Sequence, residues 1–296
     1  MSALVTQDLS LCFKETRALD RVSVDIPENC IVGLIGRNGA GKTTLLKTTA
    51  GFLRPTSGQI KVFGEAPFDR IDTLSSIFYM DDDRYEDSLK VMEILTLSRL
   101  YYKNFNLSMA KKLLDYFEIS KKSQFKKLSK GTKTLLSVVM AICSRSKLTM
   151  LDEPTLGLDA SHRKEFMTLV LKDYSDCPRT FIISSHLISE LEGMMEQVVL
   201  IDRGRIIFQK ALEEVQNYAL YLSGSKKILE NLVTQKTILT REEMGEHLTL
   251  GIENTLSQQE LNQLRSNGID ISPMDVQDVC VNLTQIHNGG VLNAIK

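Results

Sequence analysis

The stretch Gly36-Arg37-Asn38-Gly39-Ala40-Gly41-Lys42-Thr43 fits the pattern G-x-x-x-x-G-K-[ST]. It follows an apolar run at 30–35 and precedes a leucine-containing segment at 43–52, so a buried strand, a glycine turn and a helix are predicted in that order. The backbone amides of such a turn, and the N-terminal end of the helix after it, bind phosphate groups. The sequence therefore predicts an α/β fold that binds a nucleotide.

Each part of this phosphate loop has an expected contact. The Lys42 ammonium is expected to reach the β- and γ-phosphates, and the Thr43 hydroxyl is expected to bind Mg²⁺. Glycines allow the backbone to adopt positive φ angles and to approach the anion closely. The predicted nucleotide-contacting residues here are Gly36, Arg37, Asn38, Gly39, Ala40, Gly41, Lys42, Thr43 and Thr44.

A second apolar run, Leu-Thr-Met-Leu at 148–151, ends in the two carboxylates Asp152 and Glu153. Asp152 is predicted to hold Mg²⁺ through water. Glu153 is predicted to orient or deprotonate the water that attacks the γ-phosphate. The two motifs together predict hydrolysis as well as binding.

Periodicity divides the rest of the chain. Residues 3–13 and 19–26 alternate like half-buried antiparallel strands, whereas residues 85–145 have helical spacing. A strand, a helix and a strand are predicted over 148–186, with a hairpin at 198–209 that turns at Arg203-Gly204. We expect one domain over residues 1–211 and a small mixed α/β domain over 212–296.

Composition excludes several classes. Hydrophobic residues make up 43% and charged residues 25%, and the net charge of −1 gives no overall attraction to nucleic acid. The five scattered cysteines predict reduced thiols rather than disulfides or a zinc site. The N-terminus lacks the pattern of a signal peptide, and the longest apolar stretch is too short to cross a bilayer.

The phosphate loop, the segment Leu-Asp-Glu-Pro-Thr-Leu-Gly-Leu-Asp at 151–159 and His186 after Thr-Phe-Ile-Ile-Ser-Ser resemble the nucleotide-binding cassette of ABC ATPases. The resemblance covers roughly residues 3–210. It implies a P-loop NTPase fold with an antiparallel β subdomain, a helical subdomain at about 85–145 and a small C-terminal α/β appendage. It also implies ATP and Mg²⁺ as the bound cofactors.

Further site residues follow from this resemblance alone. Leu-Ser-Lys-Gly-Thr at 128–132 is similar to the family's signature loop, in which Ser129 and Gly131 would face the γ-phosphate bound by a partner cassette. Asp159 matches the aspartate that contacts the partner, and His186 matches the histidine that contacts the γ-phosphate. Phe13 lies where the family stacks an aromatic ring on adenine, but an ordinary strand aromatic remains the alternative.

Two positions depart from the family pattern. Lys130 and Thr132 replace glycine and glutamine in the signature, which either adds a cation near phosphate or leaves a signature that does not support activity. Asp82 stands where a glutamine usually contacts Mg²⁺ and the attacking water. It is either a metal-binding and catalytic residue or part of a solvated turn at 81–83.

The resemblance implies an ATPase subunit of a transporter, with a similarity to bacterial exporters of bacitracin or antimicrobial peptides. The expected partners are a second cassette, identical or related, and a transmembrane permease on another chain; no nucleic acid is expected. This places the chain in the cytoplasm, on the inner face of the cell membrane. Two alternatives remain: an ABC-type ATPase that works away from membranes, and an ATP-dependent switch that hydrolyses weakly.

Overall fold

The computed structural model describes residues 1–80, 85–233 and 236–287. By its internal contacts the chain forms two compact units, of which the first comprises residues 1–186 and 190–209 and the second comprises residues 187–189 and 210–296.

The first unit begins with an antiparallel sheet, as the alternating pattern predicts. Strands β1 (Ser2–Phe13) and β2 (Thr16–Pro27) form a hairpin, and β4 (Ser57–Val62) pairs with the other side of β1. One face of these strands contributes leucine, valine and isoleucine side chains to the core that they share with the central sheet. This sheet is the predicted antiparallel β subdomain.

A six-stranded sheet forms the centre of this unit, in the order β5-β6-β7-β3-β8-β9. The register is parallel between β5 and β6, β6 and β7, β7 and β3, and β3 and β8. Its strands are β3 (Ile31–Ile35), β5 (Ile77–Met80), β6 (Leu148–Asp152), β7 (Thr180–Ser185), β8 (Gln197–Asp202) and β9 (Arg205–Ala211). Because β6, β7 and β3 are parallel neighbours, the segments that follow them meet at one edge of the sheet.

The β8–β9 hairpin turns at the predicted residues. Arg203 and Gly204 both have positive φ, at 46° and 76°, as a two-residue primed turn requires. A side chain at Gly204 would also collide with the backbone of Ala18, since a Cβ there would lie 2.7 Å from that carbonyl oxygen. The turn is thereby held against the end of the phosphate loop, where the Gly204 amide donates to the Ala40 carbonyl at 2.8 Å.

The helices of the first unit are α1 (Lys42–Thr49), α2 (Ile71–Ser75), α3 (Val91–Tyr101), α4 (Leu107–Tyr116), α5 (Lys130–Ser144) and α6 (Ala160–Asp176), with a 3₁₀ turn at Phe125–Lys127. Helices α3, α4 and α5 lie within residues 85–145 and form the predicted helical subdomain. Another 3₁₀ turn covers Ile188–Glu190. Helix α3 begins later than the apolar spacing from residue 86 suggests. The Glu93 carboxylate accepts the Lys90 amide at 2.8 Å, and this cap fixes the start of the helix.

Buried charged side chains connect the C-terminal ends of α5 and α6 to the start of β7. Arg179, just before β7, is 4% exposed and pairs with Asp173 of α6, while its guanidinium donates to the carbonyls of Ala141 and Ile142 at 3.4 Å. Burial raises the pKa of the Asp173 carboxyl, although Arg179 and Arg145 oppose that shift. The ends of α5 and α6 are therefore tied to the start of β7, which orients the opposite ends that carry candidate site residues.

The second unit contains a four-stranded antiparallel sheet in the order β11-β12-β10-β13. Its elements are α7 (Leu212–Gln216), β10 (Ala219–Ser225), α8 (Lys226–Val233), β11 (Ile238–Met244), β12 (His247–Glu253), α9 (Gln258–Ser266), β13 (Asp270–Pro273) and α10 (Val276–His287). From β10 to β13 the order β-α-β-β-α-β and the central pairing of β10 with β12 make this a ferredoxin-like arrangement. Leucine and isoleucine side chains from the sheet, α8 and α9 form its core.

Candidate functional site

The phosphate loop closes around one lysine. Lys42, the first residue of α1, is only 5% exposed, and its Nζ donates to the carbonyls of Gly36 at 2.5 Å and Arg37 at 3.3 Å. Gly41 has a φ of 109°, and a Cβ there would lie 2.8 Å from the Ala18 carbonyl oxygen. Position 41 of the loop therefore requires glycine, and this conformation places the Lys42 ammonium group under the backbone of the loop.

Glu153 brings the second motif to the same lysine. Its Oε1 lies 3.1 Å from Lys42 Nζ, and its Oε2 accepts a hydrogen bond from His186 Nδ1 at 2.8 Å. Because a carboxylate only accepts, His186 must carry a hydrogen on Nδ1 for this contact. Glu153 also has a φ of 47°, a conformation that residues other than glycine rarely adopt. Three predicted residues thus meet at one point.

Asp152 is held by residues that the sequence analysis missed. The Ser184 hydroxyl donates to Asp152 Oδ1 at 2.6 Å and accepts the Glu153 amide at 2.9 Å, while the Tyr79 hydroxyl lies 3.4 Å from Asp152 Oδ2. Ser184 is the cross-strand partner of Asp152 in the parallel register. In the sequence, Ser184 is recognisable only as a serine inside the apolar strand Thr180–Ser185. Its partner, Asp152, is evident only from the register of the two strands.

A cavity of about 440 Å³ opens beside these groups. Part of its lining is the predicted phosphate loop from Arg37 to Thr44, with Glu153. The remainder comes from residues that were not predicted to belong to the site, which are Thr16, Arg17, Ala18, Arg203 and Gly204. These residues belong to the start of β2 and to the β8–β9 turn, so their position depends on the tertiary fold.

Phe13 does not line this cavity. Its side chain is 48% exposed at the end of β1, and the residue pairs in register with Thr16, which does line the cavity. Arg17, the next residue of β2, also lines the cavity, and its guanidinium donates to Asp20 at 2.9 Å. The adenine contact of Phe13 therefore stays a prediction. Its partner on the neighbouring strand, Thr16, is the residue that lines the cavity.

The signature segment lies at a helix start. Ser129 is the N-cap of α5, where its hydroxyl accepts the Thr132 amide at 3.2 Å, and both Ser129 and Lys130 are exposed. Gly131 faces the loop after β6, since a Cβ at Gly131 would lie 3.3 Å from the Gly157 carbonyl oxygen. The N-terminal end of α5 thus presents a polar, anion-attracting end to solvent.

Asp159 begins α6 in the same way. Its Oδ1 accepts the His162 amide at 2.9 Å and its Oδ2 contacts His162 Nδ1 at 2.9 Å, and these contacts hold the pKa of the Asp159 carboxyl below its ordinary value. The segment between Glu153 and Asp159 is fixed by Glu190, which accepts hydrogen bonds from Thr155 at 2.6 Å and from Arg163 at 2.8 Å. Neither contact of Glu190 follows from residue type or spacing, because its partners Thr155 and Arg163 are distant in the sequence.

Residues 19–156 match the family model of ABC transporters. That range includes the phosphate loop and both carboxylates at the end of β6. This segment of the chain is an ABC transporter ATP-binding cassette. The chain is an ABC-type ATPase that binds ATP, and the predicted α/β cassette fold is confirmed.

Known ABC proteins resemble the chain over different lengths. It is 25% identical to the ABC transporter ATP-binding protein YtrB of Bacillus subtilis, over 93% of this chain and 96% of the relative. It is 29% identical to the bacitracin transport ATP-binding protein BcrA of Bacillus licheniformis, over 92% of each. A solved ATP-binding subunit of an ABC transporter superposes with a TM-score of 0.66 at 24% identity, over 73% of this chain and 92% of that one. The first two similarities therefore extend into the second unit of this ABC protein.

The residues of the cassette suit a magnesium ion. Thr43 offers an exposed hydroxyl at the start of α1, and Asp152 offers a carboxylate that Ser184 and Tyr79 orient. Hard oxygen ligands of this kind, completed by phosphate oxygens and water, are what Mg²⁺ prefers. The other predicted metal ligand, Asp82, lies outside the described residues. Its role stays a prediction.

Replacing Ser184 by alanine tests how the carboxylates are positioned. The change removes the donor to Asp152 and leaves the Glu153 amide without its acceptor, a loss that typically costs about 1–3 kcal/mol. We expect ATP binding to persist, while the Mg²⁺ concentration for half-maximal hydrolysis rises about tenfold. Turnover measured against Mg²⁺ concentration gives both values.

Two further variants keep this test specific. Ser184→Thr retains the hydroxyl and should recover most of the activity, whereas Ser185→Ala, at the neighbouring position, should leave the Mg²⁺ dependence unchanged. An unaltered Mg²⁺ requirement in Ser184→Ala would show that Asp152 is positioned without this hydroxyl.

Proposed function

We propose that this ABC-type ATPase is the energy-supplying subunit of a transporter that exports a peptide or antibiotic through membrane subunits on separate chains. The observation that carries the proposal is the contact of Lys42, Glu153 and His186 beside the phosphate loop. These three side chains bring together a phosphate-binding cation, a base and a proton-carrying group, as phosphoryl transfer to water requires.

Lys42 would exchange its partner Glu153 for the phosphates when the nucleotide binds. In the structure its ammonium is neutralised by Glu153, as a buried cation must be. The phosphates of ATP would draw Lys42 away, which leaves the Glu153 carboxylate free to orient a water molecule. His186 holds Glu153 Oε2 from the other side and would meet the γ-phosphate. Mg²⁺ held near Thr43 and Asp152 would neutralise charge on the β- and γ-phosphates.

Half of the proposed site must come from another cassette. Ser129 and the partly exposed Gly131 lie at the start of α5, and Asp159 lies at the start of α6; the exposed side chains of Ser129 and Asp159 are available to a second molecule. Backbone amides at a helix N-terminus bind anions, so the α5 start fits a γ-phosphate held by the partner. A solved cassette that shares the fold is described as a dimer in a post-hydrolysis state bound to ADP and Pi. This supports two chains that close around two ATP molecules.

An exposed apolar stripe on α3 supports a membrane-subunit partner. Leu97, Leu100 and Tyr101 are spaced as one helix face, and they are 51%, 80% and 46% exposed. Apolar side chains grouped on a helix face mark a contact surface. No helix among the described residues is long and apolar enough to cross a bilayer. A permease on another chain would therefore provide the membrane path, with this chain docked at the inner face of the membrane.

The direction and cargo rest on the relatives. BcrA is described as a bacitracin transport protein, and its similarity to this chain covers 92% of both sequences. We therefore propose export of a peptide antibiotic or a similar amphipathic compound. The second unit lies within the part that the two proteins share.

The variant Glu153→Gln tests the hydrolytic part of the proposal. It keeps the shape of the side chain but removes the base and the charge that pairs with Lys42, so turnover should fall at least about 100-fold. ATP should still bind, and light scattering with ATP and Mg²⁺ should show a stable dimer. Glu165→Gln on α6 is the matched control. Wild-type turnover in Glu153→Gln would contradict the role of Glu153.

Replacing Leu97 and Leu100 together by serine tests the partner surface. Both side chains are exposed, so we expect stability and ATP hydrolysis by the purified chain to stay unchanged. Co-purification with the membrane subunits should be lost, because the apolar contact is gone. Leu171→Ser on α6, also exposed, is the control. Retained co-purification of the double variant would place the permease contact elsewhere.

A further inference from the structure

Positive charge is concentrated in one part of the chain. Residues 103–133 contain nine lysines, no arginine and only two acidic residues, Asp115 and Glu118, which gives a net charge of +7 in a chain whose total is −1. The remaining residues therefore carry −8. The nine lysines are Lys103, Lys111, Lys112, Lys121, Lys122, Lys126, Lys127, Lys130 and Lys133.

These lysines belong to the helical subdomain, where Lys103 precedes α4 and the others lie on α4, in the segment after it and at the start of α5. The segment after α4 is held against the start of α3, where the Val91 amide donates to the Ser123 carbonyl and the Met92 amide donates to the Lys121 carbonyl, both at 3.0 Å. The Lys121 ammonium contacts both oxygens of Asp115, at 2.6 and 2.7 Å. One of the two acidic residues is thereby already neutralised.

Six of the lysines are exposed and form no ion pair with another described residue, and five of these six lie outside the signature segment. We call this set the lysine-rich surface. It consists of Lys111, Lys112, Lys122, Lys126 and Lys127. Lys133 is excluded because its ammonium lies 4.4 Å from the centre of the Phe125 ring, and Lys130 because it belongs to the signature segment.

The choice of lysine over arginine indicates the kind of partner. Protein interfaces are enriched in arginine and depleted in lysine, because the guanidinium fork forms fixed paired hydrogen bonds. Lysine is a hydrated point charge on a flexible stem, which suits attraction to a fluid anionic surface. The membrane surface facing the cytoplasm is anionic, and clustered basic residues are drawn to it additively.

We propose that the lysine-rich surface binds anionic lipid headgroups directly, independently of ATP hydrolysis and of any permease. The helical subdomain would then face the membrane, with the exposed stripe Leu97, Leu100 and Tyr101 on the same subdomain.

The test uses the purified full-length chain without membrane subunits. Co-sedimentation is measured with vesicles of phosphatidylcholine alone and of phosphatidylcholine with about 30% phosphatidylglycerol. We expect binding to the anionic vesicles alone, and we expect it to weaken as ionic strength rises because salt screens exposed charges. Failure to bind the anionic vesicles at low salt would overturn the proposal.

Three variants assign the effect to residues. The triple change Lys122→Gln, Lys126→Gln and Lys127→Gln should reduce vesicle binding at least about tenfold. The same three positions changed to arginine should retain binding, which also shows that the sites tolerate substitution. A control with the same net charge change replaces three exposed lysines elsewhere, Lys61, Lys164 and Lys227, by glutamine.

The comparison of these variants shows whether anionic vesicles bind the lysine-rich surface itself. A loss confined to the first glutamine variant supports the lysine-rich surface. An equal loss in the control would mean that net charge alone matters, which overturns the proposal. If the first glutamine variant keeps vesicle binding, the proposal is wrong. In that case, loss of co-purification with membrane subunits from cells that produce the variant would show that the surface contacts protein instead.

Discussion

The ammonium group of Lys42 is the charge around which the first unit is arranged. It lies 5% exposed under the phosphate loop, where a cation without a counter-charge would be costly. Gly36 and Arg37 supply carbonyl oxygens, and Glu153 supplies the negative charge at 3.1 Å. This contact joins the loop after β3 to the end of β6. The same contact explains why the proposed base lies in the phosphate site before nucleotide arrives.

Parallel pairing makes that contact possible. Because β6, β7 and β3 are neighbours in register, the phosphate loop, the two carboxylates and His186 all emerge at one edge. Ser184 refines the arrangement by bonding Asp152 and the Glu153 backbone at once. The left-handed conformation of Glu153 then turns its side chain toward Lys42 and His186, while Asp152 stays with Ser184 and Tyr79. Two adjacent carboxylates thus acquire two different environments.

The sequence predicted the features that local patterns encode. The phosphate loop, the strand before it, the helix after it and the Arg203-Gly204 turn all follow from residue type and spacing over a few positions. The contacts of Ser184, Tyr79 and Glu190 could not be predicted, because their partners lie on other strands or loops. A single sequence does not show the register in which strands pair. Phe13 stays a prediction for the adenine contact, and the residues of its hairpin that line the cavity are Thr16, Arg17 and Ala18.

Equilibrium ATP binding to Lys42→Ala measures the central contact directly, since it does not depend on turnover or on any partner. Losing a charged contact to phosphate should weaken ATP binding by about tenfold to 100-fold, while Lys47→Ala on the same helix should bind like the wild type. Calorimetric titration of both variants gives the two affinities. An ATP affinity of Lys42→Ala equal to that of the wild type would contradict the account.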